Sequence, residues 1–302
     1  MKKSILVVFT GILFMSACAG NVRTSGDTLR VMSFNIWVGG GKSIERTIAV
    51  VRESGAEIVG IQEETKNAAA TIAESLGWPS VHVYASLLGK GCAIISKYPV
   101  VDSTASGTGV KLQIGKNRYV WMFNIHLNHC PYEPYRLNGM EYCGGTLYTE
   151  EEAIASAWNA RKNDVELVIA EITKIQADKI PVFLTGDFNE PSCLDWTKRA
   201  AEAGLCKIPV AWPATKKLHE QTGLKDSYRT VYPDEVAHPG HTWTPRPAEK
   251  EVMDRIDFVL FWGDKVTVVE SGIVGEKTPE SDIVIQDYPS DHRAVMSTFN
   301  IK

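Results

Sequence analysis

At 302 residues, 44% of them apolar, the chain is long enough to bury a sizeable core, and one large domain or two small ones both fit that length. Its formal charge is −4, with no run of five or six basic residues. That counts against tight, sequence-blind binding to duplex nucleic acid, where Lys and Arg neutralise phosphates, but it does not exclude a nuclease that borrows positive charge from metal ions.

The first residues set an expectation about compartment. Lys2 and Lys3 make a basic start, and Ile5 to Met15 is an apolar run too short for a typical membrane-spanning helix. Ser16-Ala17-Cys18 resembles the lipobox of bacterial lipoproteins. The resemblance implies a signal peptide over residues 1–17, acylation of Cys18, a polar tether over 18–28 and a folded domain over 29–302. It also implies export and lipid anchoring to the bacterial cell envelope, at the outer membrane. An ordinary secretory signal with a chance cysteine is the alternative. Loss of Lys2 and Lys3 takes the charge from −4 to about −6.

Leu29 to Ile36 is predicted as a strand. Ser43 to Glu53 has helical spacing at Ile44, Ile48 and Val51, and Gly55 stops it. Glu57 to Ile61 is a second strand, and Lys66 to Leu76 a helix ended by Gly77 and Pro79. Ala93 to Ser96 and Tyr119 to Ile125 are strands, and the turn-rich runs between them suggest a meander. Residues 128–149 carry four tyrosines, two prolines and three glycines without a period, and are predicted as a long functional loop. Glu150 to about Gln176 is a helix whose stripe of Ile154, Trp158, Val165, Val168, Ile172 and Ile175 also contains Arg161, expected in a structural ion pair. Ile180 to Thr185, Ile256 to Phe261, Val266 to Val269 and Ala294 to Phe299 are strands, with 207–253 irregular. Export permits disulfides. Cys130–Cys143 and Cys193–Cys206 are the local pairings expected, leaving Cys92 outside either bridge, although other pairings remain open. No CxxC pair is present, so a structural zinc site is not expected. Mixed strands with a few outer helices predict an α/β sandwich of two packed sheets.

Six polar segments recur at strand ends or starts: Ser33-Phe34-Asn35-Ile36, Ile61-Gln62-Glu63, Asn124-Ile125-His126-Leu127, Thr185-Gly186-Asp187-Phe188-Asn189, Arg255-Ile256-Asp257-Phe258 and Pro289-Ser290-Asp291-His292. Phosphoester hydrolysis needs charge neutralisation on phosphoryl oxygens, an activated water and a path for the leaving oxygen. Glu63, a carboxylate closing a buried strand, suits a hard divalent cation, and Asp291 offers a second carboxylate. Asp187 and Asn189 alternate along an extended segment and can face one side, the acid orienting water or protonating a leaving oxygen, the amide donating to phosphate. His292 is the natural proton carrier and Asp257 can hold its tautomer. His126 can donate to phosphate. Each has a plainer reading: an Asp/Asn turn for 187–189, a packing role for His126.

As an ordered set these segments resemble the signature of the endonuclease/exonuclease/phosphatase superfamily, the deoxyribonuclease-I-like fold, over about residues 29–300. The resemblance implies a catalytic domain over 29–302 built as a four-layer α/β sandwich of two packed mixed sheets, with strand ends converging on a magnesium site. It implies one or two ions, with manganese or calcium as alternatives. Carried over, Asn35 and Glu63 sit at the metal with Asp291 as a further ligand. His126, Asp187 and Asn189 contact the scissile phosphate, and Asp257 pairs with His292 as base. Thr242-Trp243 resembles the family's Thr-Trp pair. Two departures count against DNA cleavage. Deoxyribonucleases place a carboxylate near His126 to orient it, whereas here Lys90 precedes the Gly91 to Ser96 strand with no clear substitute, and abasic-site nucleases have tyrosine in place of His126.

The loop after His126 is expected to overhang the site, with Tyr132, Tyr135, Arg136 and Trp243, and also Tyr142, as substrate contacts. Packing of these aromatics on one another is the plainer reading. The expected activity is a magnesium-dependent phosphodiesterase or phosphatase on a sugar phosphate, inositol phosphate or phospholipid head group. A membrane-anchored nuclease is the alternative, then a binding protein without catalysis. The protein is expected to be a monomer.

Overall fold

The structure, a computed structural model, describes residues 28–85 and 91–302. The leader, Cys18, the tether up to residue 27 and Lys90 lie outside the described residues. In chain order the strands are β1 (Thr28–Asn35), β2 (Ile58–Gln62), β3 (Ser80–Ala85), β4 (Gly91–Ser96), β5 (Val100–Ser103), β6 (Gly109–Gly115) and β7 (Arg118–His126). They continue with β8 (Val182–Asp187), β9 (Lys225–Asp226), β10 (Asp257–Trp262), β11 (Val266–Gly275), β12 (Ile283–Val284) and β13 (Ala294–Ile301). Two sheets result, ordered β12-β11-β13-β1-β2-β4-β3 and β5-β6-β7-β8-β10-β9. Most neighbours are antiparallel, in keeping with a meander, but β1–β2, β7–β8 and β11–β12 are parallel, so both sheets are mixed.

Side-chain alternation decides how the sheets stack. On β1, Leu29 and Val31 face the other sheet, while Met32 and Phe34 face helices Ile44–Ser54 and Ala68–Leu76. On β7, Val120 and Met122 meet the first sheet, and Trp121, Phe123 and Ile125 meet helices Glu150–Ile175 and Pro213–Thr222. Helix, sheet, sheet and helix are the four layers expected. The 26-residue helix Glu150–Ile175 starts at a capping box, with Thr149 accepting from the Glu152 backbone and three glutamates in its first turn. No helix among the described residues is long and apolar enough to cross a membrane.

Several expectations need correction. Cys130 and Cys143 are bonded, but Cys193 and Cys206 remain thiols. Cys92 is buried and outside any disulfide. The stretch 207–253 is not wholly irregular: it contains helix Pro213–Thr222 and the short helix Ser227–Val231. Pro213 sits at the helix start, where its missing N–H costs nothing. The 128–149 segment holds a short helix, Glu133–Leu137. Strands β3, β5, β6, β9 and β12 are not among the elements the sequence predicts. In β6 the signal was present: Val110 and Leu112 are buried, with Lys111 and Gln113 alternating between them.

Candidate active site

The face shared by the two sheets changes character along its length. On β1 the inward positions run Leu29, Val31, Ser33, Asn35; on β2 they run Ile58, Gly60, Gln62; on β7, Val120, Met122, Asn124, His126; on β8, Phe183, Thr185, Asp187. The antiparallel β10 reads the other way, from Asp257 to Val259 and Phe261. One end of the inter-sheet layer is therefore apolar and the other polar. At the polar end the sheets are bolted by buried hydrogen bonds. Gln62 Nε2 donates to Asn124 Oδ1 at 2.6 Å, Asn124 Nδ2 to the Ile61 carbonyl at 2.8 Å, and the Gly186 N–H to Ser33 Oγ at 3.0 Å. The sequence reading assigned no role to these groups. Their shared signal is a polar residue at an inward position of an otherwise apolar strand.

Above these bolts opens a cleft of about 460 Å³, lined by Glu63, His126, Asp187, Asn189, Asp291, His292 and the aromatics of the 128–149 segment. Asp187 is its hub. Asn35 Nδ2 donates to Asp187 Oδ2 at 3.0 Å, while His126 Nε2 stands 3.4 Å and His292 Nε2 3.7 Å from the same oxygen. Asp187 Oδ1 accepts from the Asn189 backbone N–H at 2.9 Å. Asp257, fully buried behind the wall, lies 3.0 Å from His292 Nδ1. Glu63 accepts from the Val38 N–H at 2.7 Å and lies 3.4 Å from Asn35 Nδ2. The Asn35 amide thus turns its nitrogen to the carboxylates, its oxygen accepting from the Trp37 N–H at 3.0 Å. The Asp291 backbone is fixed by Thr244 Oγ1, and its Oδ1 is buried without a hydrogen-bond partner among the described residues. His126 Nδ1 is likewise without one.

The predicted substrate contacts divide. Tyr135 and Trp243 line the cleft, and the Trp243 ring packs 4.9 Å from that of His292. Tyr132 lines it too but is buried, its hydroxyl donating to Asp254 at 2.7 Å. Arg136 is a correction: it is not among the lining residues. Its guanidinium donates to the Gly145 carbonyl and to Ser156 Oγ, holding the segment together. Arg161, as expected, is a buried structural cation, 2.8 Å from Glu133 and donating to the Pro131 and Asn189 carbonyls. It fastens the 128–149 segment to the end of β8.

Crowding sets the electrostatics. Burial opposes ionisation of Asp187, but the His292 and His126 rings and the Asn189 N–H outweigh it and hold the carboxyl well below the carboxylate range. Burial pushes Asp257 up to about 6, with the Asp187 charge adding and His292 opposing. Burial alone would strip the His292 proton, yet the Asp257 and Asp187 charges raise the ring to about 10. Asp257 and His292 act as one unit holding a proton between them. Asp291 is raised chiefly by burial, with Glu63 and Asp187 adding and His292 opposing.

Two groups offer oxygen to a cation. Ligand atoms of Asp187, Asp257 and His292 lie within 4.8 Å of one another. There the imidazole already sits between both carboxylates, so their charge is compensated. Glu63 and Asp291 also face the cleft; among the described residues neither carboxylate is in an ion pair, although the His292 charge acts on Asp291, and Asp291 Oδ1 is buried without a hydrogen-bond partner. The second group fits a hard divalent ion better.

Residues 32–292 match the Endonuclease/Exonuclease/phosphatase family, and the chain belongs to that family. It is a phosphoester hydrolase of a fold that uses divalent metals. An uncharacterized protein of Caenorhabditis elegans is 27% identical over 320 residues, covering 98% of each chain. Among solved structures, the endonuclease/exonuclease/phosphatase from Bacteroides vulgatus superposes with a TM-score of 0.58 at 17% identity, over 91% of this chain and 99% of its own. The human Nocturnin catalytic domain gives 0.56 at 16%, over 91% and 95%. An AP endonuclease from Archaeoglobus fulgidus gives 0.56 at 15%, over 90% and 100%. At such identities the structural likeness establishes the fold alone.

Proposed function

We propose that the cleft hydrolyses phosphoesters with magnesium held by Glu63, Asp291 and Asn35. Few carboxylates suffice, because magnesium keeps several waters, and one or two ions, or manganese or calcium, suit the same oxygens. As it stands, Asn35 orients Glu63 and Asp187 through its amide nitrogen while its oxygen accepts from the Trp37 N–H; to serve as an oxygen ligand it would have to give up both arrangements. When bound, the ion supplies positive charge to the phosphoryl oxygens. His292 takes the proton of the attacking water, with Asp257 fixing its tautomer through Nδ1. It must first be neutral, and positive charge in the cleft works against the field that holds its proton. Asn189 and His126 donate to the phosphoryl group. Asn189 Nδ2 spends one N–H on the Leu127 carbonyl at 3.1 Å, which aims the amide. Asp187 orients water or returns a proton to the leaving oxygen. The observation that carries this reading is the convergence of Glu63, Asp187, Asn189, Asp291, His126 and His292, from both sheets, on one cleft.

For the substrate we favour a sugar phosphate, inositol phosphate or phospholipid head group. No Lys or Arg lines the cleft among the described residues, whereas aromatics do. A nuclease is the second reading: an AP endonuclease is among the solved structures with this fold, and bound metal ions would supply the positive charge that the lining lacks. Release of p-nitrophenol from bis-p-nitrophenyl phosphate with magnesium, lost with chelator, is expected. The Glu63→Ala/His292→Ala variant should lose it by at least about a hundredfold. Undiminished turnover in that variant would contradict the site, and nicking of plasmid at low enzyme would replace the substrate class. We further propose export and anchoring through Cys18. Palmitate labelling of the full chain, lost in Cys18→Ala, tests it.

A further inference from the structure

The cleft wall beside His292 is aromatic, and its geometry is specific. The Tyr135 and Tyr142 rings stand 5.6 Å apart at 90°, and Tyr132 meets Tyr135 from behind at 85°. Trp243 joins them through its Nε1, 3.1 Å from the Tyr135 hydroxyl. Both polar edges converge on one carboxylate: Glu251 Oε1 accepts from the Tyr135 hydroxyl and, at 3.1 Å, from Trp243 Nε1. Glu251 is not among the lining residues, so its charge lies behind the rings. The Cys130–Cys143 bridge closes the segment that carries both tyrosines.

Parallel faces make a slot for a flat base. Rings at right angles make a corner, which suits a compact, rounded group. Hydrogen bonds to a carboxylate enrich the rings in electron density, and electron-rich faces attract organic cations. No Lys or Arg is among the described lining residues, but His126, His129 and His292 are, the His129 ring 6.4 Å from that of Tyr142, so the carboxylates of Glu63, Asp187 and Asp291 in the cleft and Glu251 behind it must outweigh them for a cation to be held. The Trp243 ring, 4.9 Å from that of His292, puts the corner next to the proposed phosphoryl position.

We propose that Tyr135, Tyr142 and Trp243, with Glu251 behind them, form a subsite for a quaternary ammonium group, so that the preferred substrate is a zwitterionic choline-type phosphodiester. The proposal rests on the phosphoester-hydrolase reading above. In the step it implies, water oxygen bonds to phosphorus and the phosphorus–oxygen bond to the alcohol opposite the choline arm breaks. That oxygen takes a proton, and phosphocholine and the alcohol leave.

The test compares p-nitrophenylphosphorylcholine with bis-p-nitrophenyl phosphate, which share a leaving group, using the full chain with magnesium. The choline ester should be preferred in kcat/KM by about tenfold, the ratio one such contact supplies. Tyr142→Leu and Glu251→Gln should each lower that ratio at least about fivefold, mainly through KM, and tetramethylammonium should compete with the choline ester. Equal efficiency on both esters, with a ratio unmoved by either variant, would overturn the subsite and leave the aromatics as packing. Release from neither ester would overturn the phosphoester reading and the subsite with it. Phosphatidylcholine vesicles against glycerophosphocholine then separate a lipid source from a soluble one, and turnover of either supports the subsite.

Discussion

Glu190 shows how one buried group links cleft and stability. Burial pushes its carboxyl up to about 7; Arg161 opposes this, and Glu133 adds to it. Arg161 lies 2.8 Å from Glu133 but 3.6 Å from Glu190, so Glu133 takes most of the cation, and Glu190 Oε2 has no hydrogen bond among the described residues. A carboxyl raised from 4.5 to about 7 on folding keeps its proton in the folded state after the unfolded chain has lost it. Its contribution is whole below pH ~4.5 and is lost as pH rises through ~7, by at most about 3 kcal/mol. Glu190→Gln mimics the protonated form. Its stability relative to wild type should therefore grow between pH 4.5 and 8 in urea melts; a pH-independent difference would refute the assignment. At this scale the sequence was legible where chemistry follows an apolar run. Glu63, His126 and Asp187 reach the cleft because a strand end fixes where the side chain points, and His292 because it stands just before β13 begins. Arg136 misled because it sits in a five-residue helix whose facing no period discloses.

Gly60 carries the packing argument between elements. It occupies an inward position on β2 between Ile58 and Gln62, and a Cβ there would lie 1.9 Å from Thr185 Oγ1 and 2.6 Å from Asn124 Oδ1. The sheets meet at this point without room for a methyl group. Gly60→Ala should cost about 1–3 kcal/mol, as overpacking of a well-filled core does, and should reduce activity by splaying Asn124 from Gln62. Wild-type urea midpoint and turnover in that variant would show that the sheets have slack. Long strands with β-branched or alternating residues, such as β1, β7 and β13, were readable from sequence. The two-residue β9 and β12 are paired only because β10 and β11 lie beside them, so no local pattern marks them. Likewise Pro213 has one meaning inside a helix and another at its first turn, and tertiary burial of Ala214 and Leu218 decides which applies.

For the molecule as a whole, a ligand that binds only the folded state raises the melting temperature, by about 2.7 kcal/mol of stability at a hundredfold excess over Kd. Magnesium should raise it by a few degrees and chelator should reverse the shift. In Glu63→Ala/Asp291→Asn the shift should vanish; if it persists, the cation belongs with Asp187, Asp257 and His292 instead. Layering was legible from composition and alternation, but strand order was not. β1 lies between β2, its next strand in the chain, and β13, the last, and such distant pairing leaves no mark on either segment. The division of each inner strand into a greasy half and a reactive half has a further consequence. Oily residues can be exchanged for one another at the first half without disturbing reagents on the second, and connections at the reactive rim can lengthen or shorten without reaching the oil. A scaffold so divided tolerates drift, and chains 15–18% identical to this one still superpose on it over nine-tenths of its length.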